Sequence, residues 1–259
     1  MSNIKIIFFD IDGTLIDMDK KRISKKTLKT LIRLKENNIM ICLSTGRGPL
    51  ALPQFDGIEA DVYLTFNGSY CFTKQQTIFS NPIPNEDVKR IVENASSLNR
   101  PVLIATKDRM VANGKDDDLV QYNSFANLQV IVSDDFVKMV NTEEIFQAMM
   151  GCRKSDYRVI MKNVCSACIT AWWDKAVDII PANGGKGTGV RKVLEYCRLD
   201  KSEALAFGDG NNDIDMFEAV GFGVAMGNAS AELKEIADHI CGHVADDGIY
   251  HYCVDNDLI

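Results

Sequence analysis

KIIFFDIDGTLID, Lys5–Asp17, is the stretch whose reading decides the fold. The apolar, β-branched and aromatic run over Ile4–Phe9 predicts a strand buried on both faces. That strand ends on two acids one residue apart, Asp10 and Asp12, followed by Gly13 and Thr14. Unpaired charge at the end of a buried strand is expensive. The acids must therefore hold a metal, do chemistry or cap a turn, and the rest of the chain has to decide which. Downstream, Ser24 can cap a helix whose Leu28, Leu31 and Ile32 follow helical spacing, and Asn37 and Asn38 end it. IMICLS, Ile39–Ser44, is a second buried strand; a short helix after Arg47 and a third strand, Val62–Phe66, follow. This alternation predicts right-handed βαβ crossovers and a parallel sheet.

After Asn67-Gly68, a strong turn signal, the rhythm changes. SYCFT and QTIFS read as a hairpin, and a helix over Glu86–Leu98 follows NPIPNED. Val102–Ala105 and Met110–Ala112 read as short strands, polar helical stretches come next, and Arg158–Met161 and Ala167–Trp172 read as further strands. The βα alternation returns after DIIPANGGKG: an amphipathic helix with Val190, Val193, Leu194 and Cys197, the strand of ALAFGDG, a helix over Asn211–Ala219, a strand at Gly223–Met226, a helix over Ala231–Ala237 and a last strand at His239–Cys241. The fold class expected is α/β: a Rossmann-like parallel-sheet core, residues 1–81 and 182–259, interrupted by an inserted α+β domain, residues 82–181.

The 259 residues carry a net charge of -7, which argues against nucleic-acid or anionic-membrane partners but leaves a small anionic substrate possible if a cation or lysine inverts the local field. No apolar run approaches the roughly 20 residues of a membrane span, and the N-terminus lacks a signal-peptide layout. The expected setting is cytoplasmic, as a monomer or weak homo-oligomer. The eight cysteines are scattered without a framework and read as free thiols in a reducing compartment. Cys165 and Cys168 have C-x-x-C spacing, but their surroundings read as a strand and no second pair completes a zinc site.

Ligands of open parallel sheets bind beyond the carboxyl ends of the strands. Strand one delivers Asp10 and Asp12 there. Strand two delivers Ser44, Thr45, Gly46 and Arg47, the helix opening at GGKGTG delivers Lys186, and ALAF delivers Asp209, Asn212 and Asp213. Carboxylates gathered in one cleft repel one another unless a cation joins them. Hard oxygen ligands suit magnesium, and the lysine and hydroxyl then suit a phosphoryl group. An EF-hand loop from Asp10 is excluded by Leu15 and Lys21 at its sixth and twelfth positions. A Walker loop around Gly185-Lys186 is excluded by Ile180 and Gly187, and a dinucleotide fingerprint by Asp213 in the place of its third glycine.

DIDGT, STGR, Lys186 and GDGNND, in this order and spacing, are similar to the four motifs of the haloacid dehalogenase superfamily. The tail from GDGNND to HVADDGI, NGSY after strand three and VDIIPANGGKGTGV resemble its Cof-type sugar-phosphate phosphatases, whose type IIB cap is inserted between motifs two and three. The resemblance covers both ends of the chain closely and the middle by position and length. It implies a magnesium-dependent phosphatase acting on a small phosphorylated metabolite. Asp10 is then the nucleophile. Asp10, the carbonyl of Asp12, Asp209 and Asp213 hold magnesium, and Asp12 is the general acid and base. Gly13 permits the turn. Thr14, Ser44, Thr45, Gly46 and Lys186 hold phosphoryl oxygens, and Asn212 orients Lys186 or one of those oxygens. Arg47, Asn67 and Gly68 lie at the cap-facing rim. The alternatives are a phosphomutase on the same site, using basic residues among Lys107, Arg109, Arg153, Lys154, Arg158 and Lys162, or a catalytically silent protein that binds a phosphate ligand.

Beside these stand plainer readings. Ser44 and Thr45 can cap the next helix, and Asp215 reads as a first-turn acid complementing a helix dipole. Trp172-Trp173 is a possible sugar platform, but under strand alternation one ring faces each side. Lys115–Asp118 reads as a solvated face.

Overall fold

The computed structural model describes residues 3–126 and 128–259. In chain order, β1 (Ile6–Asp10) and a small ribbon of Ile16–Asp17 against Arg22–Ile23 precede α1 (Lys25–Glu36). α1 begins where the Ser24 hydroxyl accepts from the Thr27 amide at 3.0 Å, and it closes at Asn37, with Asn38 left-handed. Next come β2 (Met40–Ser44), a single 3₁₀ turn at Pro49–Ala51 in place of the expected short helix, β3 (Val62–Thr65), β4 (Tyr70–Phe72) and β5 (Thr77–Ser80). The middle of the chain contributes α2 (Asn85–Ser97), β6 (Leu103–Ala105), β7 (Met110–Ala112), α3 (Asp117–Ser124), α4 (Phe136–Thr142), β8 (Gln147–Gly151), a helical turn at Tyr157–Ile160, β9 (Ala167–Trp173) and β10 (Ala176–Pro181). The last part holds α5 (Lys186–Cys197), β11 (Ala204–Gly208), α6 (Ile214–Ala219), β12 (Phe222–Ala225), α7 (Ala231–Ile236), β13 (His239–Ile240) and α8 (Gly248–Asp255).

Two compact units result. One gathers Met1–Gly46, Pro53–Ser80 and Gly185–Ile259; the other gathers Arg47–Leu52 and Asn81–Gly184. The first is built on an eight-stranded sheet in the order β13-β12-β11-β1-β2-β3-β4-β5. β13 through β3 run parallel, and β4 and β5 are added antiparallel by hairpins. β1 is central. The chain leaves it for β2 on one side and later returns to β11 on the other, which opens a crevice beyond the carboxyl ends of these strands. The register is tight there: Phe9 pairs with Phe207, their rings stacked at 5.3 Å, and Asp10 pairs with Ser44. Ile6, Phe8, Leu64, Val190, Val193, Ala206 and Met216 are buried in one cluster under α5 and α6. Full burial of each large apolar side chain contributes about 1.5–3 kcal/mol. Cys42 and Cys71 are free and buried within the same cluster, and burial pushes the Cys71 thiol up to about 12.

The second unit has a five-stranded antiparallel sheet, β9-β10-β8-β6-β7, so the chain is mixed α/β with a parallel-dominated sheet and a separate α+β unit. Ile83, Val88, Ile91, Phe136, Met139 and Ile160 are buried against Ile104, Ala148 and Ile179 of the sheet. Several expectations are corrected here. Arg158–Met161 is not a strand: Tyr157–Ile160 makes a helical turn that buries Ile160. β8, buried along its whole length, was not expected, because Gln147, Ala148, Met149 and Met150 favour helix by themselves and only the sheet on both sides makes them a strand. α8 was also missed, since IYHYCV carries no helical signature of its own.

Lys115–Asp118 is only partly a solvated face. Asp116 caps α3 through the Leu119 amide at 2.8 Å and, with Asp118, takes the Arg100 guanidinium at 3.0 and 3.1 Å; Asp118 also takes Arg153 at 3.1 Å. The tryptophan pair lies where the pairing of β9 with β10 shifts register, between Thr170 and Trp173. Trp173 stacks on Tyr122 at 6.0 Å and meets Phe125 edge-on at 5.3 Å; the side chain of Trp172 lies outside the described part of the structure.

Candidate active site

Five side chains from four sequence-distant places, Asp10, Ser44, Lys186 and the pair Asp209 and Asp213, meet in the first unit where β1, β2 and β11 end. Asp10 is the last residue of β1 and Ser44, its register partner, the last of β2. Lys186 is the first residue of α5, and its ammonium, with no exposed surface, lies 2.6 Å from Asp10 Oδ1 and 2.6 Å from Asp213 Oδ1. Asp213 follows β11 on a 3₁₀ turn, Asn211–Asp213, and its Oδ2 accepts the Asp209 and Gly210 amides at 3.0 Å each. Asp209 Oδ1 accepts from the Thr14 hydroxyl at 2.7 Å. Gly13 explains how close that contact is: its φ is +92°, and a Cβ there would fall 2.2 Å from Asp209 Oδ2. The glycine therefore serves the approach of Asp209 as much as the turn.

The charges are strongly coupled. Burial pushes the Asp10 carboxyl well above its ordinary value, the neighbouring Asp213 and Asp209 add to the shift, and Lys186 opposes it. Burial likewise pushes Asp209 up to about 6, with Asp213 adding and Thr14 opposing. Burial alone would lower the Lys186 ammonium, but the Asp10 and Asp213 carboxylates overrule it and the net shift is upward. Oxygens of Asp10, Asp209 and Asp213 all lie within 4.8 Å of one another. One lysine against three carboxylates leaves the cluster negative, and its donors are all hard oxygens, so the residues fit magnesium.

Around this centre, Ser44 Oγ is buried and has no hydrogen-bond partner. Thr45 is buried, and its backbone joins β3 through Leu64 O at 2.8 Å and accepts the Asn67 amide at 3.0 Å. Gly46 lies against the Asn67 carboxamide, and Asn67 Oδ1 accepts from Asn212 Nδ2 at 3.1 Å, so the motif turns after β2, β3 and β11 are tied by one asparagine pair. Asn212 thus meets Asn67 rather than Lys186. Asn67 is buried and left-handed, with φ 51° and ψ 44°, and Gly68 backs onto the Gly185 carbonyl. Asp12 is half-buried, its backbone bridging to Ile16. Arg47 groups with the second unit, where its guanidinium donates to Ala51 O at 3.0 Å.

Two residues with structural reach into this centre were not singled out from sequence as site residues. Asn228 Nδ2 donates to Gly13 O at 2.8 Å while its Oδ1 accepts the Val244 amide at 3.0 Å, pinning the loop after β1. Asp215 Oδ2 accepts the Gly187 amide at 2.9 Å. The only sequence signal for the latter was the pair of glycines flanking Lys186.

The family described as haloacid dehalogenase-like hydrolase matches residues 7–253. YkrA of Bacillus subtilis (strain 168), provisionally named a phosphatase, is 34% identical over 246 residues, 95% of either chain. The 5-amino-6-(5-phospho-D-ribitylamino)uracil phosphatase YitU of the same organism is 28% identical over 261 residues, again 95% of either chain. The solved structure of the subclass IIB sugar phosphatase BT4131 superposes with a TM-score of 0.85 at 26% identity, over 98% of this chain and 100% of that one.

Proposed function

The chain belongs to the haloacid dehalogenase-like hydrolases, as a phosphatase, and we propose that it hydrolyses small phosphate monoesters, sugar phosphates above all, with magnesium and through an aspartyl-phosphate at Asp10. The observation that carries this reading is the buried Lys186 ammonium shared between Asp10 and Asp213, with Asp209 alongside and a partnerless Ser44 hydroxyl in register with Asp10.

Asp10 attacks phosphorus in line. Its carboxylate–phosphorus bond forms as the bond to the leaving oxygen breaks, and Asp12 gives that oxygen its proton. In the second step Asp12 takes a proton from water, the water oxygen attacks phosphorus, and Asp10 leaves. Lys186 and the Ser44 hydroxyl hold the phosphoryl oxygens in both steps, with Thr45 and Gly46 lining the same turn. Asp10, Asp209, Asp213 and the Asp12 carbonyl would hold magnesium, whose positive charge lets an anionic carboxylate approach an anionic phosphate. Attack requires Asp10 ionised; burial works against this and Lys186 works for it.

Support for a sugar or polyol phosphate comes from the relatives, one a sugar phosphatase and one acting by name on a phosphorylated ribityl compound. Against a phosphomutase, Arg109 and Arg153 are engaged inside their own unit, Arg109 with Asp135 and Glu143, Arg153 with Asp118. Against a silent binding protein, every motif residue is in place. The test is steady-state turnover of p-nitrophenyl phosphate, followed by a panel of hexose and pentitol phosphates. The wild type should release inorganic phosphate with magnesium and stop on chelation, and Asp10→Asn should be inert. Magnesium-independent release, or equal rates in wild type and Asp10→Asn, would overturn the proposal. Isomerised sugar phosphate in place of free phosphate would overturn the hydrolytic step.

A further inference from the structure

Lys186 stands between two glycines, and the simplest reason for small residues there is to let a ligand come close. The structure gives another. A Cβ on Gly185 would lie 2.2 Å from Asp215 Oδ2, and a Cβ on Gly187 would lie 2.2 Å from the Asp215 carbonyl oxygen. What approaches both glycines is one residue of α6. Gly185 is the N-cap of the twelve-residue α5 and brings no side chain to it. The first amides of a helix need partners from somewhere. Here Asp215 Oδ2 supplies one, accepting the Gly187 amide at 2.9 Å from across the fold.

We propose that Asp215 is a positioning residue for Lys186: it caps α5 from outside and thereby fixes the backbone from which the ammonium reaches Asp10 and Asp213. The inference rests on the phosphatase reading for its catalytic half only. Lys186 is held at two levels by two acids of one short segment. Asp213 takes the ammonium at 2.6 Å, and Asp215 takes the backbone one residue beyond. α5 and α6 also share one buried cluster through Val190, Val193, Met216 and Phe217, which ties the segment to the helix. Loss of the cap frees the first turn of α5 and spreads the positions of Nζ. A lysine displaced by even an ångström still binds phosphate as a point charge but no longer meets it where charge develops. The expected signature is a fall in kcat with little change in KM.

The experiment compares wild type, Asp215→Ala, Asp215→Asn and Ser24→Ala. The last removes the cap of α1, whose Ser24 hydroxyl accepts from the Thr27 amide, and serves as a control for the general cost of an uncapped helix. Readouts are kcat and KM for p-nitrophenyl phosphate with magnesium, and amide hydrogen exchange across 185–190. Asp215→Ala should lower kcat about tenfold, within the range set by a lost cap and a misplaced charge, with KM inside about threefold. It should also raise exchange at Gly187 about tenfold. Asp215→Asn keeps a carbonyl acceptor and should recover most of both, whereas Ser24→Ala should change neither. Unchanged exchange at Gly187 in Asp215→Ala overturns the cap. Faster exchange with unchanged kcat overturns the positioning role, and equal losses in the Asn and Ala variants show that charge, not capping, matters and overturn it as well. A wild type without turnover overturns the phosphatase reading and the catalytic half with it, while the exchange measurement still decides the cap.

Discussion

The two acids of DIDGT sit one residue apart, yet their surroundings differ. Asp10 is buried and paired to Lys186, whereas Asp12 is half-buried beside the turn. The roles proposed for them, nucleophile for Asp10 and proton carrier for Asp12, draw on that difference. Asp12→Asn should therefore slow an alkyl phosphate far more than p-nitrophenyl phosphate, whose leaving group departs without a proton; equal slowing of both, measured by kcat/KM, would refute the division. Ser44→Ala should cost about a hundredfold in kcat, the usual effect of one lost donor to a developing charge. Asp209, pushed up to about 6, should ionise fully when a cation arrives. Magnesium at about a hundred times its dissociation constant should accordingly stabilise the wild type by about 2.7 kcal/mol, read as a higher Tm, and Asp209→Asn should lose that gain. Away from the site, burial pushes Asp178 up to about 6 although Tyr122 and Gln147 pull it down. A carboxyl raised in the folded state makes the protein less stable as pH rises from about 4 to about 6. Asp178→Asn should consequently exceed the wild-type Tm at pH 8, by a margin that shrinks to nothing near pH 4.

At the scale of elements, what was legible followed from local pattern. β1, β2 and β11 are short apolar runs that lead into polar motif residues, and α1 and α5 show amphipathic spacing. What was not legible depends on neighbours far along the chain. β8 is made a strand by pairing with β6 and β10, and the acids at 116 and 118 become a buried-side network only because Arg100 and Arg153 arrive from elsewhere. The bracketing glycines of Lys186 were visible, but Asp215, the reason for them, was not, since no spacing rule links α6 to the start of α5. Elements also set the tolerance of the turn after β1. Gly13→Ala combines a left-handed φ with a clash on Asp209 and should cost about 2 kcal/mol or more in urea denaturation.

For the whole molecule, the parallel sheet and the second α+β unit were both readable, because the βα rhythm breaks after Asn67-Gly68 and returns after Pro181, although the first sheet keeps its hairpin strands as far as Ser80. Each unit buries its own cluster, Ile83, Ile91, Ile104, Met139 and Ile179 in the second. A contiguous stretch with its own core is expected to fold by itself. The excised segment 81–184 should thus show a cooperative thermal transition and dispersed amide NMR signals; a featureless, non-cooperative melt would refute its independence. Among the described residues no helix is long and apolar enough to cross a membrane.

The ammonium of Lys186, 2.6 Å from Asp10 Oδ1, carries one more consequence. In the proposed cycle Asp10 becomes an acyl phosphate, the same activated carboxyl that ligases use to make amides. A neutral amine at that distance would attack the carbonyl carbon, expel phosphate and weld the two side chains into an isopeptide, ending the life of the enzyme. Phosphorylation turns one of the two carboxylates that keep Lys186 protonated into an acyl phosphate, although the phosphoryl oxygens it brings then face the same ammonium. Asp213, whose Oδ1 is equally close, is the one that stays, and it denies the nitrogen the lone pair that self-acylation needs.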